Sequence, residues 1–280
     1  MLKALYWRVN LSIKKIKSKR LKKKLGKNVK AIITESKNGI FAVDPEDLEV
    51  GQKIRSGGFA IDEINRLKQH VNSNSNVLII GSHIGSVAIP LSNHCKSITA
   101  IEANPKTFEL LTINIQLNNS TNINTHNVFA NNKYEKVDFL LNTVNSGGSK
   151  RKPKKSNFLY EYDNPKTIQL DSVPLDEYLK GEKFDLILID IEGSEYFAMK
   201  GMKEILSKCD TLVVEFLPHH LKNVAGVSVE EFVSVIPTHF EKLHLPDNNQ
   251  VHDFSKTQEI LQNLYDSNLG EDGIIFTSKQ

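Results

Sequence analysis

Cysteine is nearly missing from this chain: Cys95 and Cys209 are the only two among 280 residues. With no Cys-x-x-Cys spacing they point away from a disulfide framework or a zinc knuckle and fit a reducing compartment. No apolar run approaches the ~20 residues needed to span a bilayer, and the N-terminus lacks the continuous apolar stretch of a secretory leader, so a cytoplasmic location is expected. The nine histidines include no His-Glu-x-x-His pair, and no metal site is readable from spacing, although His219 and His220 adjoin. Gly-x-Gly-x-x-Gly is also absent, which disfavours a dinucleotide pyrophosphate.

What is present is a soluble-type composition, 39% hydrophobic and 25% charged, long enough to bury one α/β core with extensions. Its charge is uneven. Residues 1–30 hold twelve Lys or Arg and no acid, leaving 24 basic against 33 acidic residues in the remainder. Within that arm Leu2, Leu5, Tyr6, Val9, Ile13, Ile16 and Leu21 recur at three- and four-residue steps, the pattern of a basic amphipathic helix. Three readings stay open for it: adsorption to an anionic membrane, at the inner face for a cytoplasmic protein, weak contact with nucleic acid or another polyanion, or a solvated arm docked on the body. Only Tyr6 and Trp7 are available there for base stacking, so specific nucleic-acid recognition is not expected. A second basic run, Lys150 to Lys155, follows a Gly- and Ser-rich stretch and reads as a solvated loop, or as a loop over an active site that draws in an acidic acceptor.

From Asn76 onward the pattern alternates strand and helix. Asn76–Ile80 is a short apolar run closed by Gly81, as expected for a strand buried on both faces of a parallel sheet. Ser97–Glu102 is a second strand, and Asn104-Pro105 opens a helix whose Phe108, Leu111 and Ile115 face the sheet. Strands at 123–130, 184–189 and 211–216 continue the series, with helices at about 194–207 and 228–236. Strands at 240–245 and 273–277 around a helix at 256–265 complete seven strands with helices on both faces. Three segments follow: the arm 1–30, an extension 31–75 packed on the core, and the main domain 76–280.

Gly81-Ser82-His83-Ile84-Gly85 lies where the first strand turns into a helix, and Glu102 ends the second strand about twenty residues on. Backbone N–H groups at such a turn and a carboxylate for ribose hydroxyls describe a nucleoside site. Gly81, Ser82, His83, Gly85, Glu102, Ala103 and Asn104 are therefore the candidate cofactor-binding residues. His83 in place of a second glycine favours S-adenosyl-L-methionine, which has no phosphates, over a dinucleotide.

The strand Phe184–Asp190 runs into Ile191-Glu192-Gly193-Ser194-Glu195. This resembles the FkbM-type methyltransferase family, whose hallmark here is Asp-x-Glu-Gly-x-Glu; Ser172–Leu179 and Val213–Pro218 resemble its flanking segments, so the likeness covers about 57–217. The resemblance implies a class I, Rossmann-like α/β fold with a mostly parallel seven-stranded sheet, S-adenosyl-L-methionine as cofactor, and O-methylation of a hydroxyl on a sugar, glycan or other small-molecule acceptor. Asp190 and Glu192 then orient the acceptor or act as base, with His219 as an alternative base; Glu195 reads as a helix-surface or capping residue, and Glu215 as a site or buried structural carboxylate. The sequence departs from the family at Ile79, Ser82 and His83, where an acid and a small-residue-Asn pair are usual. A catalytically silent methyltransferase-fold binding or scaffold protein is the alternative that this departure leaves.

Overall fold

The structure, a computed structural model, describes residues 2–278. Its main sheet begins with β3 (Asn76–Ile80), β4 (Ser97–Ile101) and β5 (Ile123–His126), continues with β10 (Leu186–Ile189) and β11 (Thr211–Phe216), and ends with β12 (Lys242–Leu245), β13 (Gln250–Asp253) and β14 (Glu271–Thr277). The spatial order is β13-β12-β14-β11-β10-β3-β4-β5. The five strands from β11 to β5 are parallel, whereas β12, β13 and β14 pair antiparallel. The seven expected strands are all in this sheet, and the hairpin partner β13 adds an eighth.

The continuous apolar runs have the reason anticipated for them. Val77, Ile79, Leu186, Leu188 and Val213 face one core, with Ala88, Leu91 and Leu111 from the covering helices. Leu78, Ile80, Ile187, Ile189 and Val214 face the other, with Met199, Phe232 and Leu261. Each strand is thus buried on both sides, and period-two alternation of polarity has nothing to act on.

Two smaller sheets flank this core. β1 (Ile32–Ser36) and β2 (Gly39–Val43) form a hairpin before α2 (Val50–Arg55) and α3 (Ile61–Leu67). β6 (Phe129–Ala130), β7 (Glu135–Leu141), β8 (Lys150–Arg151) and β9 (Lys166–Val173) form a sheet of order β6-β9-β7-β8, inserted between β5 and β10. This sheet corrects two expectations. The run 123–130 is not one strand: after His126 the chain leaves the main sheet, and Phe129 pairs with Ser172 instead. The basic run 150–155 is not wholly loop, because Lys150 and Arg151 pair with Leu140 and Phe139. The switch at Phe129 has no local signature, since its partner Ser172 lies far away in sequence.

The arm is helical as expected, in α1 (Leu2–Leu25). Ser18 is buried and donates to the Glu46 carbonyl at 2.7 Å, while Lys14 and Lys22 pair with Glu49 and Glu46. Leu5, Tyr6, Val9, Ile13 and Ile16 are exposed; the side chain of Leu2 lies outside the described residues.

The hairpin is held by helix α5 (Pro105–Leu117), with α4 (Ala88–Ser92) preceding it. Asn114, fully buried, accepts from the Ala42 N–H at 2.6 Å and donates to the Ala42 and Ile84 carbonyls at 3.2 and 2.9 Å. Asn118, one turn on, accepts from and donates to the backbone of Ile40. Two side chains spaced i, i+4 thereby satisfy the free edge of β2 as a further strand would. Asn114→Ala strands three backbone groups and is expected to lower stability by about 2–4 kcal/mol. Denaturant unfolding checks this, and a loss well under 1 kcal/mol would show that the hairpin is not anchored there.

Candidate active site

The chain steps outward from β3 to β4 and β5 on one side and returns to β10 and β11 on the other. The crevice at the carboxyl ends of β3 and β10, where the order reverses, is where open α/β sheets bind ligands. A cavity of about 280 Å³ lies there. Its wall includes Gly81, Ser82, His83, Glu102, Ala103, Asp190 and Glu192. Of the expected cofactor residues, Gly85 and Asn104 are not on this wall. Gly85 instead lets the turn approach α5, since a Cβ there would lie 2.9 Å from Leu111. Asn104 caps α5, accepting from the Lys106 N–H at 3.0 Å.

Gly81 has a stronger reason to be glycine. A Cβ on it would lie 1.8 Å from the carbonyl oxygen of Asp190. Its own N–H and that of Ser82 both donate to the Ile101 carbonyl at 2.9 Å. The Ser82 hydroxyl turns back to the Ile79 carbonyl at 3.1 Å. His83 has φ +50°, a left-handed conformation that His and Asn tolerate better than most residues, and its N–H donates to Glu102 Oε2 at 2.8 Å. Glu102 Oε1 accepts from the Asn104 N–H and the Thr107 hydroxyl. With a single bond on Oε2, the carboxylate keeps a lone pair for a ribose hydroxyl.

The His83 ring is tied to the extension. Ser146 donates to Asp47, so its oxygen accepts from His83 Nε2–H at 2.7 Å. That leaves Nδ1 as an acceptor, buried and without a partner. Burial holds the imidazole neutral, its pKa pushed below the ordinary value against the pull of Glu102 and Glu192, and burial likewise lifts Asp47 to about 6. An orphaned acceptor on a residue of the cavity wall fits a nucleoside ligand rich in hydroxyl and amino donors.

At the other end of the cavity Asp190 is exposed on the cavity wall, and no side-chain hydrogen bond reaches it among the described residues. Burial, then repulsion from Glu192 and Glu63, raises its carboxyl well above the usual range. Glu192, at φ +58°, bonds Lys150 at 2.7 Å. Lys150 is only 5% exposed and also donates to His220 Nε2 at 3.0 Å. Burial first, then the Lys150 ammonium, keeps His220 neutral. Glu215 lies 3.6 Å from His220 Nδ1, its carboxyl raised by burial and by Asp190. Among the described residues, Glu192, Glu215 and His220 have ligand atoms within 4.8 Å of one another, and the Lys150 ammonium already supplies a cation to two of them.

Glu195 is buried rather than on the helix surface, and its carboxylate accepts from the Ile191 and Gly193 N–H groups at 3.0 Å, pinning the turn that carries Glu192. His219 is not on the cavity wall; it stacks on Tyr160, and it is His220 that turns inward. Sequence reasoning missed Lys150 and Glu63. Lys150 is hidden in a run of like charges, and Glu63 in an unremarkable helix of the extension.

An open sheet of five parallel strands ending in three antiparallel ones, with a crevice at its switch point, is the class I, Rossmann-like methyltransferase fold. Residues 80–268 match the FkbM methyltransferase domain, and the chain belongs to that family, whose members use S-adenosyl-L-methionine. Among curated proteins, none matches the sequence. It is similar to the solved structure of the methyltransferase FkbM from Methylobacillus flagellatus KT, at 15% identity over 74% of this chain and 44% of that one, TM-score 0.43. It is also similar to M. jannaschii TYW2 in complex with AdoMet, at 18% identity over 67% and 62%, TM-score 0.38, and to an rRNA methylase from Streptococcus thermophilus, at 12% over 78% and 95%, TM-score 0.44. The chain spans less than two-thirds of the first two proteins' length.

Replacing Lys150 removes the cation beside His220 but leaves the imidazole buried. In Lys150→Met the His220 ring is therefore expected to titrate at higher pH than in the parent, read by NMR of its ring protons. An unchanged titration would show that the ammonium does not reach the ring.

Proposed function

We propose that the chain is an S-adenosyl-L-methionine-dependent O-methyltransferase acting on a hydroxyl of a sugar, glycan or other small metabolite, with Asp190 as the base. The observation that carries this reading is the unpartnered Asp190 carboxylate in the same cavity as Glu102 and the Gly81 turn. Glu102 Oε2 and His83 Nδ1 accept from the nucleoside. The bound cofactor supplies an electrophilic methyl carbon on a sulfonium. The acceptor oxygen forms the new bond to that carbon as the bond to sulfur breaks, and the hydroxyl proton goes to Asp190. A raised pKa suits this, because a carboxylate of ordinary acidity is a weak base for an alcohol. Lys150 pairs with Glu192 and holds the turn beside Asp190 in place.

Asp190 must be ionised to accept the proton, so methyl transfer falls as pH drops through its raised pKa. The acid limb of the rate profile is expected well above the ~4 of free carboxylates. Asp190→Asn should lose about 100-fold or more in transfer while still binding S-adenosylhomocysteine. Equal transfer by both proteins, measured with labelled cofactor and a cell extract as acceptor pool, would remove Asp190 from the chemistry; no transfer by the parent would favour the silent scaffold.

We also propose that α1 rests on an anionic membrane surface. Its Ser18, Lys14 and Lys22 side faces the body, whereas Leu5, Tyr6, Val9, Ile13 and Ile16 point outward among lysines and arginines with no acid in the helix. No helix among the described residues is long and apolar enough to cross a membrane, and the many cations of α1, with no acid in the helix, suit adsorption to an anionic surface. The full chain should sediment with vesicles containing anionic lipid. The triple variant Leu5→Ser, Val9→Ser, Ile13→Ser should bind about tenfold less or worse; equal sedimentation of the two proteins would exclude adsorption through this face.

A further inference from the structure

The cavity wall carries more acid than the reaction needs, and most of it is already matched. Glu49 pairs with Lys14, Glu102 is held by two backbone N–H groups and a hydroxyl, and Glu192 pairs with Lys150. Two carboxylates are left, Asp190 and Glu63. No hydrogen bond or ion pair reaches Glu63 among the described residues. Burial lifts its carboxyl to about 7 despite the pull of Arg66 on its own helix, and it is close enough to Asp190 to raise that group too. One basic side chain on the wall is likewise free of any acid, Lys53, whose ammonium lies 5.4 Å from the centre of the Phe59 ring. A desolvated carboxylate without a counter-charge costs stability, and it persists where a ligand supplies the missing cation.

Building on the cofactor reading above, we propose that Lys53 and Glu63, both from the extension, clamp the amino-acid end of the cofactor, Lys53 on its carboxylate and Glu63 on its ammonium. The charges correspond one to one. The ligand carries a sulfonium, an ammonium and a carboxylate; the wall offers Asp190, Glu63 and Lys53. Ile79, at the end of the first strand, has no charge to contribute, and it lines the same cavity as Glu63. The acid usual at position 79 in the family is thus replaced by one reaching in from α3.

Calorimetry on the full chain tests this with two probes, S-adenosylhomocysteine and 5′-methylthioadenosine, which share the nucleoside and differ in the amino-acid end. The parent should bind the first more tightly. Glu63→Gln, which keeps the shape of the side chain, should weaken it by about 30-fold and leave methylthioadenosine within twofold; Lys53→Met should act in the same selective way, with unchanged thermal unfolding as the control for folding. If Glu63→Gln binds both probes as the parent does, or loses both equally, the clamp is wrong and the nucleoside reading stands. A parent that binds both probes alike also overturns the clamp alone, whereas a parent that binds neither overturns the cofactor reading and the clamp with it.

Discussion

The close approach of Gly81 to the Asp190 carbonyl is the constraint around which the site is built. β3 and β10 are neighbours in register, Ile80 opposite Ile189, and the Asp190 N–H donates to the Ile80 carbonyl. One step further along both strands, the Gly81 turn and Asp190 approach each other through their backbones. Any side chain at 81 would force the strand ends apart. The Gly81 turn and Asp190 are therefore fixed relative to each other by main-chain geometry, the least adjustable part of a protein, and for the methyl transfer proposed above positioning is what a displacement at carbon chiefly requires.

Around this rigid centre, charge is regulated from the periphery. The inserted sheet reaches back to place Lys150 against Glu192 and His220, and the N-terminal arm places Lys14 against Glu49. Each cation cancels one acid of the cavity region. What survives uncancelled is a short list, Asp190 and Glu63, and both are groups that burial makes reluctant to ionise until a cation arrives. On the proposed reading, ligand charge and protein charge are complementary, and a cationic cofactor stabilises the ionised form of Asp190.

Much of this was legible in the sequence, and the reasons divide cleanly. The strands are short apolar runs bounded by polar residues, Gly81 and Asp190 sit at strand ends where the chain must turn, and Glu102 follows β4 at the spacing a βαβ unit dictates; these are local signals. Lys150 and Glu63 gave none. Lys150 is one of several cations in a row and differs from the exposed Lys152 in being buried against Glu192 and His220, a difference set by tertiary packing. His219 and His220 are adjacent and chemically identical, and helix phase alone decides that the second faces inward. Glu195 looked like a surface residue because its bonding to the Ile191 and Gly193 N–H groups depends on how sharply the chain turns before it.

The same interdependence bears on how the arm relates to the body. Glu49 precedes α2, the helix that carries Lys53, and Ser18 of the arm holds the adjoining turn through the Glu46 carbonyl. Removing the arm outright would strip Lys14 from Glu49 and leave a third uncompensated carboxylate at the cavity wall. A truncation would thus disturb cofactor binding for an electrostatic reason unrelated to any membrane. Changes confined to the outward apolar face leave Lys14, Ser18 and Lys22 in place, and only they separate adsorption from catalysis.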